Sequence, residues 1–191
     1  TTNFSLGGSG SNLTASYIGN AIGNCTRKTF VITFAMGGTS SGSWSSATIT
    51  AQYGDTVSRS GNVVTIKKWD DANTNRGTST FTPTTGYDVS YSSITSPITA
   101  NQTITATTAR QAFTVTFANG GSNYGSWSTA NIAVEYGDTI SRSGDMVTIK
   151  KWDDANTNRG TSTFTNGSAT GYTYSVSYSA LTSPITANQT V

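Results

Sequence analysis

Oxygen-bearing side chains at alternate positions are the first candidates for chemistry in this chain. Asp70-Asp71-Ala72-Asn73-Thr74-Asn75-Arg76-Gly77 recurs unchanged as Asp153 to Gly160. Asp71, Asn73 and Asn75, with Asp154, Asn156 and Asn158 in the second copy, are spaced like the opening of a calcium loop. The match is partial: the glycine falls one place late, and no glutamate follows where a bidentate ligand belongs. The competing reading is an Asp/Asn/Gly turn between two strands, its side chains bonded to their own backbone. Calcium is the only cofactor the residues suggest.

Trp44 and Trp127 lie in matching Gly-Ser-Trp-Ser loops, with Tyr124 close to the second. An aromatic ring flanked by small polar residues can stack on a sugar. The same ring can fold over the end of a small core, where aromatics supply much of the burial. Trp69 and Trp152 end β-branched runs and are expected in the core. Six Asn-x-Ser/Thr sequons occur, at Asn3, Asn12, Asn24, Asn101, Asn166 and Asn188. They are the glycosylation sites to inspect if the chain is exported.

Catalysis finds little to work with. Histidine is absent, which removes the commonest general base and the commonest metal ligand together. Serines are many but have no base. Paired carboxylates occur only as sequence neighbours, which point to opposite faces of a strand. Lys67, Lys68 and Asp70 flank Trp69 and read as a solvated pair rather than as part of an isopeptide bond. No enzyme is expected. Cys25 is the single cysteine, so no disulfide forms within the chain and no thiolate cluster holds a metal. It is either a free thiol or a link to another chain.

The elements that position these residues are set by a repeat. Val64 to Thr82 returns as Val147 to Thr165, 83 positions on. The offset also relates Phe30 to Phe113, Trp44 to Trp127, Tyr53-Gly54-Asp55 to Tyr136-Gly137-Asp138, and Arg59 to Arg142. Near the end it grows to 87, and Pro97 to Thr103 returns as Pro184 to Thr190. A long fixed-period repeat decides architecture before other features do. The expected organisation is an N-terminal extension (1–29), repeat 1 (30–112) and repeat 2 (113–191).

Within each repeat the apolar residues alternate as in half-buried strands. Phe30-Ile32-Phe34, Ile49-Ala51-Tyr53 and Tyr87-Val89-Tyr91 do so in the first copy. Val63 to Trp69 is a β-branched run, and Thr78 to Thr82 is a further short strand. The second copy offers Phe113-Val115-Phe117, Ile132-Val134-Tyr136, Met146 to Trp152, Tyr172 to Tyr178 and Ile185 to Val191. No window has a helical period. The expected fold is all-β: two tandem homologous small modules, β-grasp-like or sandwich-like, with five or six strands each.

In the extension, Leu13, Ala15 and Tyr17 alternate with Asn12, Thr14 and Ser16. That stretch is either a strand of its own domain or one donated to a neighbouring molecule. Val191 is the counterpart of Ile104, so the last strand, from Ile185 to Val191, is expected to be short or completed from elsewhere. An incomplete sheet edge is a template for another strand, and the extension is the candidate to fill it. The partner would be a copy of the chain itself.

Composition narrows the setting. Thr, Ser and Asn make up 79 of 191 residues, and charged residues only 10%, against roughly 25% in ordinary soluble proteins. A surface wetted by hydroxyls and amides suits the cell exterior. The net charge of +2 comes from scattered Lys and Arg. No basic stripe is present, so nucleic acid is not an expected partner. No apolar run is long enough to span a membrane as a helix. The chain begins at Thr1 without Met, which fits a processed, exported protein or a trimmed one.

The order of motifs resembles a known family. Each repeat opens with an aromatic-alternating strand (FVITF, FTVTF). A Tyr-Gly-Asp-Thr turn follows (Tyr53 to Thr56, Tyr136 to Thr139), then a strand ending in Trp69 or Trp152, then a closing Ile-Thr-Ala-Asn-Gln-Thr strand. Over residues 30–191 this is similar to the internalin B-repeat, or Listeria–Bacteroides repeat, type of bacterial surface module, in its divergent branch. Lys68 and Lys151 stand where that family often has Gly, and the units here are longer. The resemblance implies β-grasp-like modules strung along exported surface proteins as stalks, spacers or adhesive segments. It brings no catalytic residues. The leading expectation is a structural subunit of an extracellular stalk or filament. The alternative is an adhesin or carbohydrate-binding module whose partners are cell-surface glycans.

Overall fold

A computed structural model describes residues 26–120 and 124–191. Leu13, Ala15, Tyr17, Asn3, Asn12, Asn24 and Cys25 lie outside the described residues. The fold is all-β, and no helix forms among the described residues.

The first part of the chain contributes β1 (Thr29–Met36), β2 (Gly42–Trp44), β3 (Thr48–Gln52), β4 (Thr56–Ser60), β5 (Val63–Lys67), β6 (Asn75–Pro83), β7 (Tyr87–Tyr91) and β8 (Gln102–Arg110). The second contributes β9 (Ala112–Thr116), β10 (Gly125–Trp127), β11 (Asn131–Glu135), β12 (Thr139–Ser143), β13 (Met146–Lys150), β14 (Asn158–Asn166) and β15 (Gln189–Thr190). They form four small sheets, ordered β3-β1-β8-β7, β2-β6-β5-β4, β10-β14-β13-β12 and β11-β9-β15. The sequence repeat is visible in the register. Val63 faces Thr80 as Met146 faces Thr163, and both pairings slip at the same place, between Ile66 and Lys67 and between Ile149 and Lys150.

Chain contacts divide the protein into two compact units. Among the described residues, one holds 26–35, 44–80 and 93–104; the other holds 36–43, 81–92, 105–120 and 124–191. The division passes through β1, β2, β6 and β8 and does not coincide with the ends of the sequence repeats. The core of the first unit gathers Ile32, Phe34, Ala51, Val64, Ile66 and Ile98. The core of the second gathers Val115, Phe117, Val134, Val147, Ile149 and Ile185. The inward positions of β1 and β9 are thus those whose apolar residues alternate. Each fully buried Ile or Val contributes about 1.5–3 kcal/mol.

Two expectations are corrected. Trp69 and Trp152 are not core residues: they are 46% and 41% exposed. Their strands end at Lys67 and Lys150, and each indole instead carries an arginine. The Arg27 guanidinium lies 3.5 Å from the Trp69 ring centroid, and that of Arg110 lies 3.9 Å from Trp152. Tyr172 to Tyr178 alternates like a strand but pairs in no sheet among the described residues. Its counterpart β7 is a strand because β8 lies beside it. The expected short last strand is present as β15, two residues long and parallel to β9.

Candidate functional site

The second unit carries an open groove of about 980 Å³. One wall is the turn side of β9, Ala118 to Gly120, beside Thr190 and Val191; the other is Tyr172 to Ser179. The floor is aromatic. Trp127, at the end of β10, packs on Phe117 and Phe164, with ring centroids 5.0 and 5.3 Å away. Tyr178 meets Trp127 edge-on at 5.8 Å. Tyr124 stacks on Tyr172 at 6.3 Å and touches Tyr174 at 5.6 Å.

Strand pairing fixes the rim. The Val191 N–H donates to the Thr116 carbonyl, and the Ala118 N–H donates to the Val191 carbonyl, each at 2.9 Å. The Tyr178 hydroxyl donates to Asp145 at 2.6 Å, and the Arg142 guanidinium lies 4.4 Å from its ring. Burial and that carboxylate push the Tyr178 phenol up to about 12. The Tyr174 hydroxyl is buried with no hydrogen-bond partner among the described residues.

In the first copy β8 fills the corresponding place. Its residues Ala106 to Arg110 run antiparallel to β7. The Gly37 N–H donates to the Ala106 carbonyl at 2.9 Å, and the Ser41 N–H to Thr108 at 2.7 Å. Ala106 is fully buried. The groove in the second copy is therefore shaped like a strand site.

The expected site residues fall as follows. Trp127 and Tyr124 line the groove, with Tyr124 53% exposed. Trp44 is half-buried against Phe34, and its indole N–H donates to the Ala35 carbonyl at 2.9 Å. Both tryptophans sit on short strands rather than in loops and pack against the cores. Ile185 and Val191 are buried.

Asp71 accepts from the Asn73 N–H at 2.9 Å and from the Thr74 hydroxyl; Asp154 does the same with Asn156 and Thr157. These bonds hold both carboxyls below the usual range, the Thr hydroxyl acting most strongly. The stretch thus has the geometry of an Asx turn, and Asn75 and Asn158 begin the next strands. No group of three or more His, Cys, Asp or Glu gathers among the described residues. Asn101 and Asn188 are exposed, and their side-chain oxygens accept from the Val31 and Thr114 N–H groups, each at 2.8 Å. Asn166 is exposed at the end of β14.

Sequence reasoning missed a pair of buried ion clusters. Asp55, read as a turn residue, is fully buried. Its carboxylate accepts from the Gln52 and Trp69 N–H groups at 2.7 and 3.0 Å and is gripped by the Arg76 guanidinium. In the second copy Arg159 reaches Asp138 at 2.6 Å and Glu135 at 2.7 Å, and Glu135 also accepts the Trp152 indole N–H at 3.1 Å. The available signal was the strict return of Asp and Arg in a chain so poor in charge. These clusters clamp a strand turn to a distant strand and are structural. No helix among the described residues is long and apolar enough to cross a membrane. Comparison with protein-family models, with curated proteins and with solved structures found no match.

Proposed function

We propose that the chain is a structural subunit of an extracellular stalk or filament, in which a strand from the N-terminal extension of one copy enters the groove of another. The observation that carries this reading is the groove itself, whose counterpart in the first copy is occupied by β8. An aromatic floor beside an unpaired sheet edge offers main-chain hydrogen bonds along one side and apolar pockets beneath. Such a contact joins two different surfaces, so it propagates into a linear polymer unless a rotation closes it. The polar, charge-poor composition and the resemblance to tandem surface modules favour the cell exterior.

A second reading, a carbohydrate-binding or adhesive module, is favoured by one observation: Trp127 and Tyr124 line the same groove. Trp44 does not share that setting, so this reading gives one glycan site in the second copy rather than two matching sites. The two readings separate on deletion of residues 1–25. Strand donation gives fibres from the full chain and none from the shortened one. A glycan module gives monomers in both, and its tryptophan fluorescence shifts with an oligosaccharide.

A further inference from the structure

The protein already contains one complete joint of the kind the groove lacks. In β7 and β8, Tyr87 stands opposite Arg110, Val89 opposite Thr108 and Tyr91 opposite Ala106. The Arg110 guanidinium lies 5.0 Å from the Tyr87 ring centroid and 3.9 Å from that of Trp152, and its Nε donates to the Tyr136 carbonyl at 2.8 Å. The Tyr136 ring covers Gly86 (φ +84°) so closely that a Cβ there would stand 2.3 Å from it.

One repeat earlier, the arginine half of this joint has no tyrosine half among the described residues. Arg27 lies 83 positions before Arg110. Its guanidinium covers Trp69 at 3.5 Å, and its Nε donates to the Tyr53 carbonyl at 2.6 Å. The Tyr53 N–H donates to Lys28 as that of Tyr136 donates to Gln111. Tyr136 is half-buried, whereas Tyr53 is 48% exposed. One repeat later, the tyrosine half stands by itself as Tyr174 to Tyr178. Gly171 there has φ +86° and open space above it. Tyr172-Thr173 is inserted between that glycine and Tyr174, and the two copies differ in path at that point.

We infer that two copies join head to tail by repeating this internal joint. Ile22 to Arg27 of one copy pairs antiparallel with Tyr174 to Tyr178 of the next, in the register of Thr105 to Arg110 against β7. The inference rests on the strand-donation reading and names the donor within it. The register places Gly23 where Ala106 is fully buried, so the inward position stays small. It places Cys25 where Thr108 stands, directly opposite Val176. Arg27 then bridges its own Trp69 and the neighbour's Tyr174, as Arg110 bridges Trp152 and Tyr87. Each added copy again presents its own Arg27 segment and its own groove.

The test is a Val176→Cys variant of the full chain, oxidised after assembly and run on a denaturing gel. Deletions of residues 1–20 and 1–25 are imaged alongside. The expected result is a covalent ladder that disappears when Cys25→Ser is added, with fibres from the 1–20 deletion and none from the 1–25 deletion. A ladder only from Val176→Cys with Tyr17→Cys and Cys25→Ser, together with loss of fibres on deleting 1–20, would overturn this register while leaving strand donation in place. A disulfide closed within one chain, or fibres with no disulfide, also overturns it. Fibres that survive the 1–25 deletion, or their absence from the full chain, overturn the reading beneath it.

Discussion

Phe81 and Phe164 hold the same place in the two copies of one nineteen-residue sequence, yet Phe81 is 1% exposed and Phe164 is half-buried. The difference lies in what covers them. Each packs edge-on at 6.3 Å against the matching tyrosine, Tyr91 or Tyr178, but Tyr91 is held by β8, whereas Phe164 and Tyr178 line the open groove. Phe81→Ala should therefore cost about 3–5 kcal/mol, the range for a buried aromatic. Phe164→Ala should cost clearly less in a monomer lacking residues 1–25. Denaturant unfolding of both variants in that background measures the difference.

The buried Asp55–Arg76 pair makes a pH prediction. Burial alone would raise the Asp55 carboxyl, but the Arg76 guanidinium and the Gln52 and Trp69 N–H groups outweigh it and hold the group below its ordinary 3.8. A depressed carboxyl contributes stability that is present above the unfolded value and lost as pH falls through the folded one. The melting temperature should hold down to about pH 4 and fall below it. Asp55→Ala leaves Arg76 without its partner and should cost about 3–5 kcal/mol. Thermal unfolding of both proteins between neutral and acid pH checks the two statements together.

Tyr178 makes the opposite prediction at alkaline pH. Its phenol is raised from 10.0 to about 12 by burial first and by the Asp145 carboxylate second. The neutral form is favoured in the folded chain, so its contribution is complete below pH 10 and is lost as pH rises towards 12. Ultraviolet titration should show Tyr178 ionising late, and Asp145→Asn should bring its ionisation earlier.

Gly86 and Gly171 share a left-handed backbone, with φ +84° and +86°, but not a neighbour. An alanine at either costs roughly 1–2 kcal/mol for the backbone alone. At Gly86 the Tyr136 ring must also move. Gly86→Ala should therefore destabilise the monomer more than Gly171→Ala, as read by denaturant unfolding.

Much of the β architecture was legible because alternation is local. Phe30-Ile32-Phe34 and Phe113-Val115-Phe117 announce strands whatever else surrounds them, and the repeat places them twice. What escaped depends on distant partners. Asp55 and Arg76 are 21 residues apart, so a turn signal and a loop arginine give no hint of their pairing. Trp69 follows a β-branched run that reads as core, yet the chain bends after Lys67 and Arg27 stacks on its ring. Tyr172 to Tyr178 carries the pattern of a strand, but a strand exists only where another edge meets it. The groove was legible only as a short final strand. The tyrosines that line it come from segments far apart in sequence.

The most direct test of strand-mediated assembly is negative-stain microscopy of the purified protein over a range of concentrations, with and without residues 1–25. The account predicts fibres from the full chain, longer at higher concentration, and monodisperse particles from the shortened one. Monodisperse particles from both, or fibres from both, would contradict it.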